Sequence, residues 1–408
     1  DMRSKGFVSA FFIATTSGHS VQKWKGKEMN SDKAQHILVT APLGFGGITS
    51  MMINIQKNLD RDKLNFDYLV LHDRHEDLED IVLGMGSKKI VASADDVRNK
   101  FLRGITRWYR LYRTFKDNNI KVLHLNGGPS SDMNIVFLAK LAGVKHVTFH
   151  THNAGSAVYR NKISVIMSNA YKPLMPAFVD SFWACSSLAA QFSFPKKIVV
   201  NQVYKFIPNG IALEKYAFDL TIREKVRRDL GVENKFVIGH AGRFNVQKNH
   251  EYLIDVFASL HKECNDAVLL LFGDGELRES MQQKVKKLHL EESVHFMGTT
   301  NEMQKMYQAM DVFVMPSFCE GLPVAGVEAQ ASGLPVLLAD TITKEVDVTD
   351  CVKYLPLSKD KSAWVKEIQS FRDFKRYSRI EELRKAGFDE KDVAKYFQDF
   401  YLNILDKL

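Results

Sequence analysis

The sequence predicts an α/β fold of two doubly wound, Rossmann-like domains that face an interdomain cleft. Three observations predict it. Two series of short, β-branched strands alternate with amphipathic helical stretches, a Pro208-Asn209-Gly210 break separates the series, and 408 residues exceed what one core comfortably fills.

In the first series, strands are expected near Ile37–Ala41, Phe66–Leu71, Lys88–Ala92, Val122–Asn126, His146–His150 and Asp180–Ala184. Their apolar runs suit parallel strands covered on both faces. A helix opens after Gly44-Phe45-Gly46-Gly47 and runs to about Leu59, and another spans Arg98 to Lys116. The hinge is placed at Tyr204–Tyr216, where Pro208, Asn209 and Gly210 interrupt the periodicity. The second series has strands near Phe236–His240, Ala267–Phe272, Val294–Met297, Asp311–Met315 and Pro335–Ala339. Ser358–Leu408 reads as mostly helical, and its stripe of Tyr396, Phe397, Phe400, Tyr401 and Leu405 is expected to pack back onto the first domain. The expected division is an N-terminal extension over 1–33, domains over 34–203 and 204–385, and a closing helix over 386–408.

The composition, 45% hydrophobic and 25% charged, is that of a globular enzyme and excludes disordered and fibrous classes. A net charge of +8 favours anionic partners without choosing among nucleotide, nucleic acid and membrane surface. Cys185, Cys264, Cys319 and Cys351 are widely spaced with no CxxC pair, which reads as reduced thiols in a cytoplasmic protein. No apolar run approaches the roughly 18 residues that span a bilayer. Arg3 and Lys5 before Phe7–Ala14 resemble a signal peptide, but the run is short; a loosely ordered extension, native or added, is expected.

The chemistry-bearing residues sit just beyond strands. Gly46 and Gly47 open a helix, where backbone N–H groups and the helix dipole suit an anion; the spacing is not GxGxxG, and a plain turn with a cap would also account for it. Gly242-Arg243 and Lys248 follow the strand ending at His240 and offer a guanidinium fork and a point charge suited to a diphosphate, although two solvated surface cations would look the same. Phe272-Gly273-Asp274-Gly275 makes a third such turn, with Asp274 available as a helix cap.

Glu320 and Glu328 lie eight residues apart in EGLPVAGVEAQASGLPV. The first sits at a strand's carboxyl edge, and the second lies two turns along a helix, where it can accept hydrogen bonds from a diol. His150-Thr151-His152-Asn153 ends an apolar strand; a satisfied structural histidine and a contact to a sugar hydroxyl are both open readings, and no third ligand at recognisable spacing supports a metal. Asp60-Arg61-Asp62 falls in a polar turn away from the expected cleft. GxSxG, HExxH and P-loop markers are missing from the sequence.

Together these residues resemble glycosyltransferase family 4, retaining nucleotide-sugar transferases of GT-B fold, and within it the Firmicutes-type exopolysaccharide and capsule enzymes. The resemblance covers roughly 36 to 400 and is most specific over Glu320–Val336, then Gly242-Arg243 with Lys248-Asn249, then Ala339–Glu345. It implies an N-terminal acceptor domain and a C-terminal donor domain. It implies that Arg243 and Lys248 hold the donor diphosphate, Glu328 the ribose and Glu320 the sugar hydroxyls. Gly46, Gly47, Gly242, Gly321 and Leu322 line the donor or give backbone N–H contacts. His150 contacts the transferring sugar, with His152 the alternative, and Asn209 and Glu345 are secondary candidates. Glu-Gly-Leu-Pro stands where many members have Glu-Gly-Phe-Gly, and Thr-Ile-Thr-Lys replaces the usual Gly-Gly before Glu345.

The implied donor is a UDP-sugar, and the implied acceptor is a saccharide, free or on a polyprenyl diphosphate. No metal or cofactor is expected, since the nucleotide-sugar is a substrate. The basic charge carries no nucleic-acid-binding motif. Instead the Arg98–Lys116 helix sets Lys100, Arg103, Arg107 and Arg110 against Phe101, Ile105, Trp108, Tyr112 and Phe115, which suits either peripheral contact with an anionic membrane or core packing with a solvated cationic face. An epimerase of the same fold, or a non-catalytic sugar-nucleotide-binding subunit, is the rival reading.

Overall fold

A computed structural model describes residues 34–44, 46–128, 132–152, 154–155 and 162–408. The expected extension over 1–33, Phe45 and Asn153 lie outside the described residues.

Two parallel sheets carry the fold. The first joins β1 (Gln35–Thr40), β2 (Leu64–Val70), β3 (Lys89–Val91), β4 (Val122–Gly127), β5 (His146–Thr151), β6 (Ser181–Ala184) and β7 (Lys205–Phe206) in the order β3-β2-β1-β4-β5-β6-β7. The second joins β8 (Phe236–Ala241), β9 (Ala267–Phe272), β10 (Val294–Gly298), β11 (Val312–Met315), β12 (Val336–Ala339) and β13 (Val352–Leu355) in the order β10-β9-β8-β11-β12-β13. Both are doubly wound, with strand order reversing beside β1 and β8. Ligands in such sheets bind outside the carboxyl ends of the strands at that reversal, which here means the loops after β1, β4, β8 and β11.

The central strands form because their side chains are apolar on both faces; Ala267–Phe272 is buried at every position. Strands β7 and β13 are absent from the sequence expectation. The first is two residues long, and the second, Val-Lys-Tyr-Leu, is short and only partly buried, so neither carries a readable apolar run. The helix expected from Arg98 begins instead at Lys100, because Asn99 caps it by accepting from the Phe101 and Leu102 N–H groups. Asp274 is not a cap: its carbonyl accepts from Phe244 N, and the following helix, Arg278–Lys287, has Leu277 at its N-cap with no side-chain hydrogen bond.

The last helix, Glu390–Leu405, leaves the second sheet and packs on the first. Val393, Ala394, Phe397 and Tyr401 join Ile37, Val39, Phe66 and Tyr68 in one core, and Trp183 of β6 meets Phe397 and Phe400 at ring-centroid distances of 4.9 and 4.7 Å. The chain thus crosses between the lobes twice, at the hinge and before this helix. An isolated bridge between Ile211 and Asp389 ties the two crossings side by side.

Candidate active site

Two adjoining regions hold the sequence-predicted residues. The first is an interlobe cleft of about 770 Å³, lined by Gly46 and Gly47 on one side, Asn209 at the hinge, and Glu328 on the other. Gly47 starts a helix reaching Asn58 that has no acidic residue in its first turn and no side-chain cap. A methyl group added at Gly46 or Gly47 would meet open space, and the first N–H groups of the helix that starts there have no partner within the helix.

Glu328 stands on the helix Val324–Ala331. Its two oxygens accept from Tyr216 (2.7 Å) and Tyr307 (2.9 Å) hydroxyls. Burial pushes its pKa up, and the two tyrosines pull against that rise. Each carboxylate oxygen keeps a second lone pair, so Glu328 is held in one orientation while still able to accept from a ligand diol. The sequence reading missed both tyrosines. Tyr216 sits 112 residues from Glu328 in the chain, and no local pattern announces such a partner.

The second region lies at the seam between the lobes and does not line that cleft. Lys248 Nζ is 2.8 Å from Glu320 Oε1, with side chains 17% and 8% exposed. Local chemistry sets Lys248 there. Asn245 accepts from the Lys248 N–H, Asn249 takes a left-handed conformation (φ 55°), and the Asn249 amide donates to the Pro316 carbonyl just past β11. The Lys248 stem runs over Gly242, where an added methyl would come within 3.1 Å of it. Arg243 is separate from this pair: it is 71% exposed and 3.3 Å from Glu276, so the two cations are neighbours on one loop and do not share an anion partner.

Gly321 sits where the lobes approach closely. A methyl there would stand 2.0 Å from the His152 carbonyl oxygen and 3.4 Å from Cys185 Sγ. Leu322 beside it is buried. A second strut comes from Glu345, which accepts from Ser187 N at 2.6 Å and from the Thr343 hydroxyl. Burial raises the Glu345 pKa, but these bonds outweigh it and leave the carboxyl below its ordinary value. Where Thr-Ile-Thr-Lys replaces a glycine pair, Glu345 therefore braces the first lobe.

The rings of His150 and His152 lie against each other at a tilt of 44°, with centroids 4.0 Å apart. His150 is fully buried against His124, Trp183 and Phe397, and neither ring nitrogen has a hydrogen-bond partner among the described residues. It is therefore not a satisfied structural histidine. His152 is partly exposed, and its Nε2 lies 2.8 Å from Asn126 Oδ1. Burial holds the His152 pKa down, to about 4, and that of His150 well below the ordinary value, so both rings are neutral at pH 7.

Comparison with known proteins decides the family. The model for group 1 glycosyl transferases matches residues 222–379. EpsF of Bacillus subtilis strain 168, named as a glycosyltransferase, is 30% identical over 346 residues, spanning 83% of this chain and 88% of that protein. The chain is a group 1 glycosyltransferase.

Other relatives of this glycosyltransferase act in saccharide assembly by name. The Escherichia coli UDP-Gal:alpha-D-GlcNAc-diphosphoundecaprenol alpha-1,3-galactosyltransferase is 29% identical over 244 residues, 56% of this chain and 60% of that protein. The crystal structure of Anabaena HepE with UDP and glucose superposes with a TM-score of 0.72 at 18% identity, covering 90% of this chain and 98% of that one, which shows a shared GT-B fold. The two parallel sheets of this glycosyltransferase are that architecture.

Proposed function

We propose that the enzyme transfers a hexose or N-acetylhexosamine from a UDP-sugar to a saccharide carried on a polyprenyl diphosphate, with retention at the anomeric carbon, in exopolysaccharide or capsule synthesis. The observation that carries this reading is the Lys248–Glu320 pair at the interlobe seam, with Glu328 on the helix that follows. Glycosyl transfer leaves negative charge on the departing diphosphate, and preorganised donors aimed at that charge stabilise the transition state without reorganising. Lys248 and Arg243 are the cations assigned to the diphosphate, Glu328 is assigned to the ribose, and Glu320 to sugar hydroxyls. The E. coli relative's name, which pairs UDP-Gal with an undecaprenol-linked acceptor, and the UDP bound by HepE support the choice of donor and acceptor class.

In this reading the anomeric C–O bond to the diphosphate breaks as the acceptor oxygen bonds to the same face of the carbon. The acceptor proton passes to the departing phosphate oxygen. Lobe closure at Gly321 keeps out water, which competes as acceptor. A thermal-shift panel of UDP-, GDP-, ADP- and TDP-sugars tests the donor: a ligand at about 100 times its Kd adds about 2.7 kcal/mol of stability. The expected outcome is a raised Tm with a UDP-sugar; stabilisation by another nucleotide class alone contradicts it.

The acceptor side is assigned to the inner face of a membrane through the helix Lys100–Asp117. Among the described residues no helix is long and apolar enough to cross one. Of this helix's apolar residues only Leu111 and Phe115 are buried, whereas Phe101, Leu102, Ile105, Trp108 and Tyr109 are exposed. Arg110 is paired with Asp96 and Arg113 with Asp117, so charge is partly spent internally and the apolar stripe carries more of the attachment. Binding to anionic liposomes at low salt, weakened more by Phe101→Glu with Trp108→Glu than by Lys100→Gln, is the expected result. Absence of binding at low salt contradicts the assignment.

A further inference from the structure

The turn after β8 is zipped to the segment after β11 by two residues. Asn249 donates to the Pro316 carbonyl at 3.1 Å, and the Gln247 carbonyl accepts from the Phe318 N–H at 2.9 Å. Gln247 also reaches across with its side chain, where Nε2 donates to the Cys319 carbonyl at 2.8 Å and to Glu320 Oε2 at 3.4 Å. Only the NH₂ end of an amide can donate to a carbonyl, so the Cys319 bond fixes which way the amide points and leaves its second N–H toward Glu320.

Glu320 thereby meets a different group at each oxygen. Oε2 takes the Gln247 donor. Oε1 lies 2.8 Å from Lys248 Nζ, but the ammonium meets it off the direction a hydrogen bond needs, and Oε1 is buried with no hydrogen-bond partner among the described residues. Buried polar atoms are rarely left without a donor, so Oε1 is the acceptor this carboxylate holds open. The position of Lys248, by contrast, does not depend on the Gln247 side chain. Asn245 Oδ1 accepts from the Lys248 N–H, and Asn249 ties the far side of the turn to Pro316. Removing the Gln247 amide therefore frees the carboxylate and leaves the cation where it is.

We propose that Gln247 is a positioning residue for sugar recognition, which holds Oε2 of Glu320 and so turns Oε1, beside the Lys248 ammonium, toward the donor's sugar. The sugar rests on the transferase reading above; the contact between Gln247 and Glu320 does not. In this arrangement Gln247 touches no reacting atom and acts through Glu320. Its effect falls on the sugar half of a nucleotide-sugar and spares the nucleotide half, which a residue that only staples two loops would not do.

The first test needs no ligand. A double-variant cycle pairs Glu320→Gln with Gln247→Met, which keeps the length of the side chain and deletes its donors, and is read by Tm on the full chain. Gln247→Met is expected to lower Tm more in the wild-type background than in the Glu320→Gln background, because a hydrogen bond to an ionised carboxylate contributes more than one to a neutral amide. Equal losses in the two backgrounds overturn the proposal. Gln247→Ala takes the place of Gln247→Met if that variant does not fold.

The second test compares UDP with UDP-glucose, UDP-galactose and UDP-N-acetylglucosamine by titration calorimetry. In Gln247→Met the affinity for UDP is expected to stay within about threefold of wild type, while the ratio of UDP-sugar affinity to UDP affinity falls by about tenfold or more, the scale of one hydrogen bond to a charged group. An unchanged ratio, whether neither affinity moves or both fall together, overturns the proposal. Failure of all four ligands to bind the wild-type protein, with the Tm coupling present, counts against the transferase reading alone.

Discussion

Replacing Lys248 by methionine is expected to lower turnover by roughly a hundredfold, the loss of about 2.7–4 kcal/mol that removal of one preorganised charge-stabilising donor produces. Methionine keeps the apolar stem over Gly242 and deletes only the ammonium. The substitution also strands Glu320, a carboxylate whose side chain is 8% exposed, and an uncompensated charge at that depth destabilises the fold. The double variant Lys248→Met with Glu320→Gln separates the two effects. Its Tm is expected to recover toward that of the wild-type protein, while its turnover remains low. If Lys248→Met keeps activity within about threefold of wild type, Lys248 does not serve the leaving group. Arg243→Ala is the companion variant. Its ion pair with Glu276 is at the surface, so its loss is expected to leave stability nearly unchanged.

Gly321→Val is expected to remove activity by about a hundredfold or more, by geometry alone. A side chain at Gly321 would begin 2.0 Å from the His152 carbonyl, inside the contact distance of any pair of atoms, and the obstacle is backbone, so it cannot swing aside. The lobes must separate to admit it, which parts Glu320 from the histidine loop. Each sheet keeps its own core, so far-ultraviolet circular dichroism is expected to match the wild-type protein while single-turnover transfer collapses. Wild-type transfer rates in Gly321→Val would show that this contact is not part of the working enzyme. The milder Gly321→Ala meets the same carbonyl and is expected to fall between the two.

Most of the architecture was legible because it is written in local patterns. Eleven of the strands announce themselves as apolar runs ending in polar turns, and these match the observed elements to within two residues at their ends. The two that do not, Lys205–Phe206 and Val352–Leu355, close the edges of the sheets, where a strand needs few apolar residues to be held. The candidate site was legible where its residues lie close in sequence: Lys248 follows Gly242 in one loop, and Glu320 and Glu328 share one strand-to-helix turn.

What the sequence did not disclose are partners brought from far along the chain. Tyr216 and Tyr307 orient Glu328 from two other elements, Ser187 meets Glu345 across 158 residues, and Tyr401 reaches His124 across 277. No periodicity encodes such pairs, because they depend on how the two lobes and the last helix are docked. The separation of Arg243 from Lys248 has the same origin. Both cations follow β8, but the Asn245–Asn249 turn aims Lys248 at Glu320 and leaves Arg243 facing Glu276. The aromatic helix shows the converse: helical spacing sorted its faces, yet only packing determines that Leu111 and Phe115 face inward while Phe101 and Trp108 do not.

The central claim is that one diphosphate-bearing sugar is held at the seam by the C-terminal lobe, and a crystal structure of the enzyme with a bound UDP-sugar tests it most directly. The account predicts diphosphate oxygens within hydrogen-bonding distance of Lys248 Nζ and the Arg243 guanidinium, with ribose hydroxyls on Glu328. A nucleotide seated elsewhere, with the Lys248–Glu320 pair and Glu328 untouched, would contradict it.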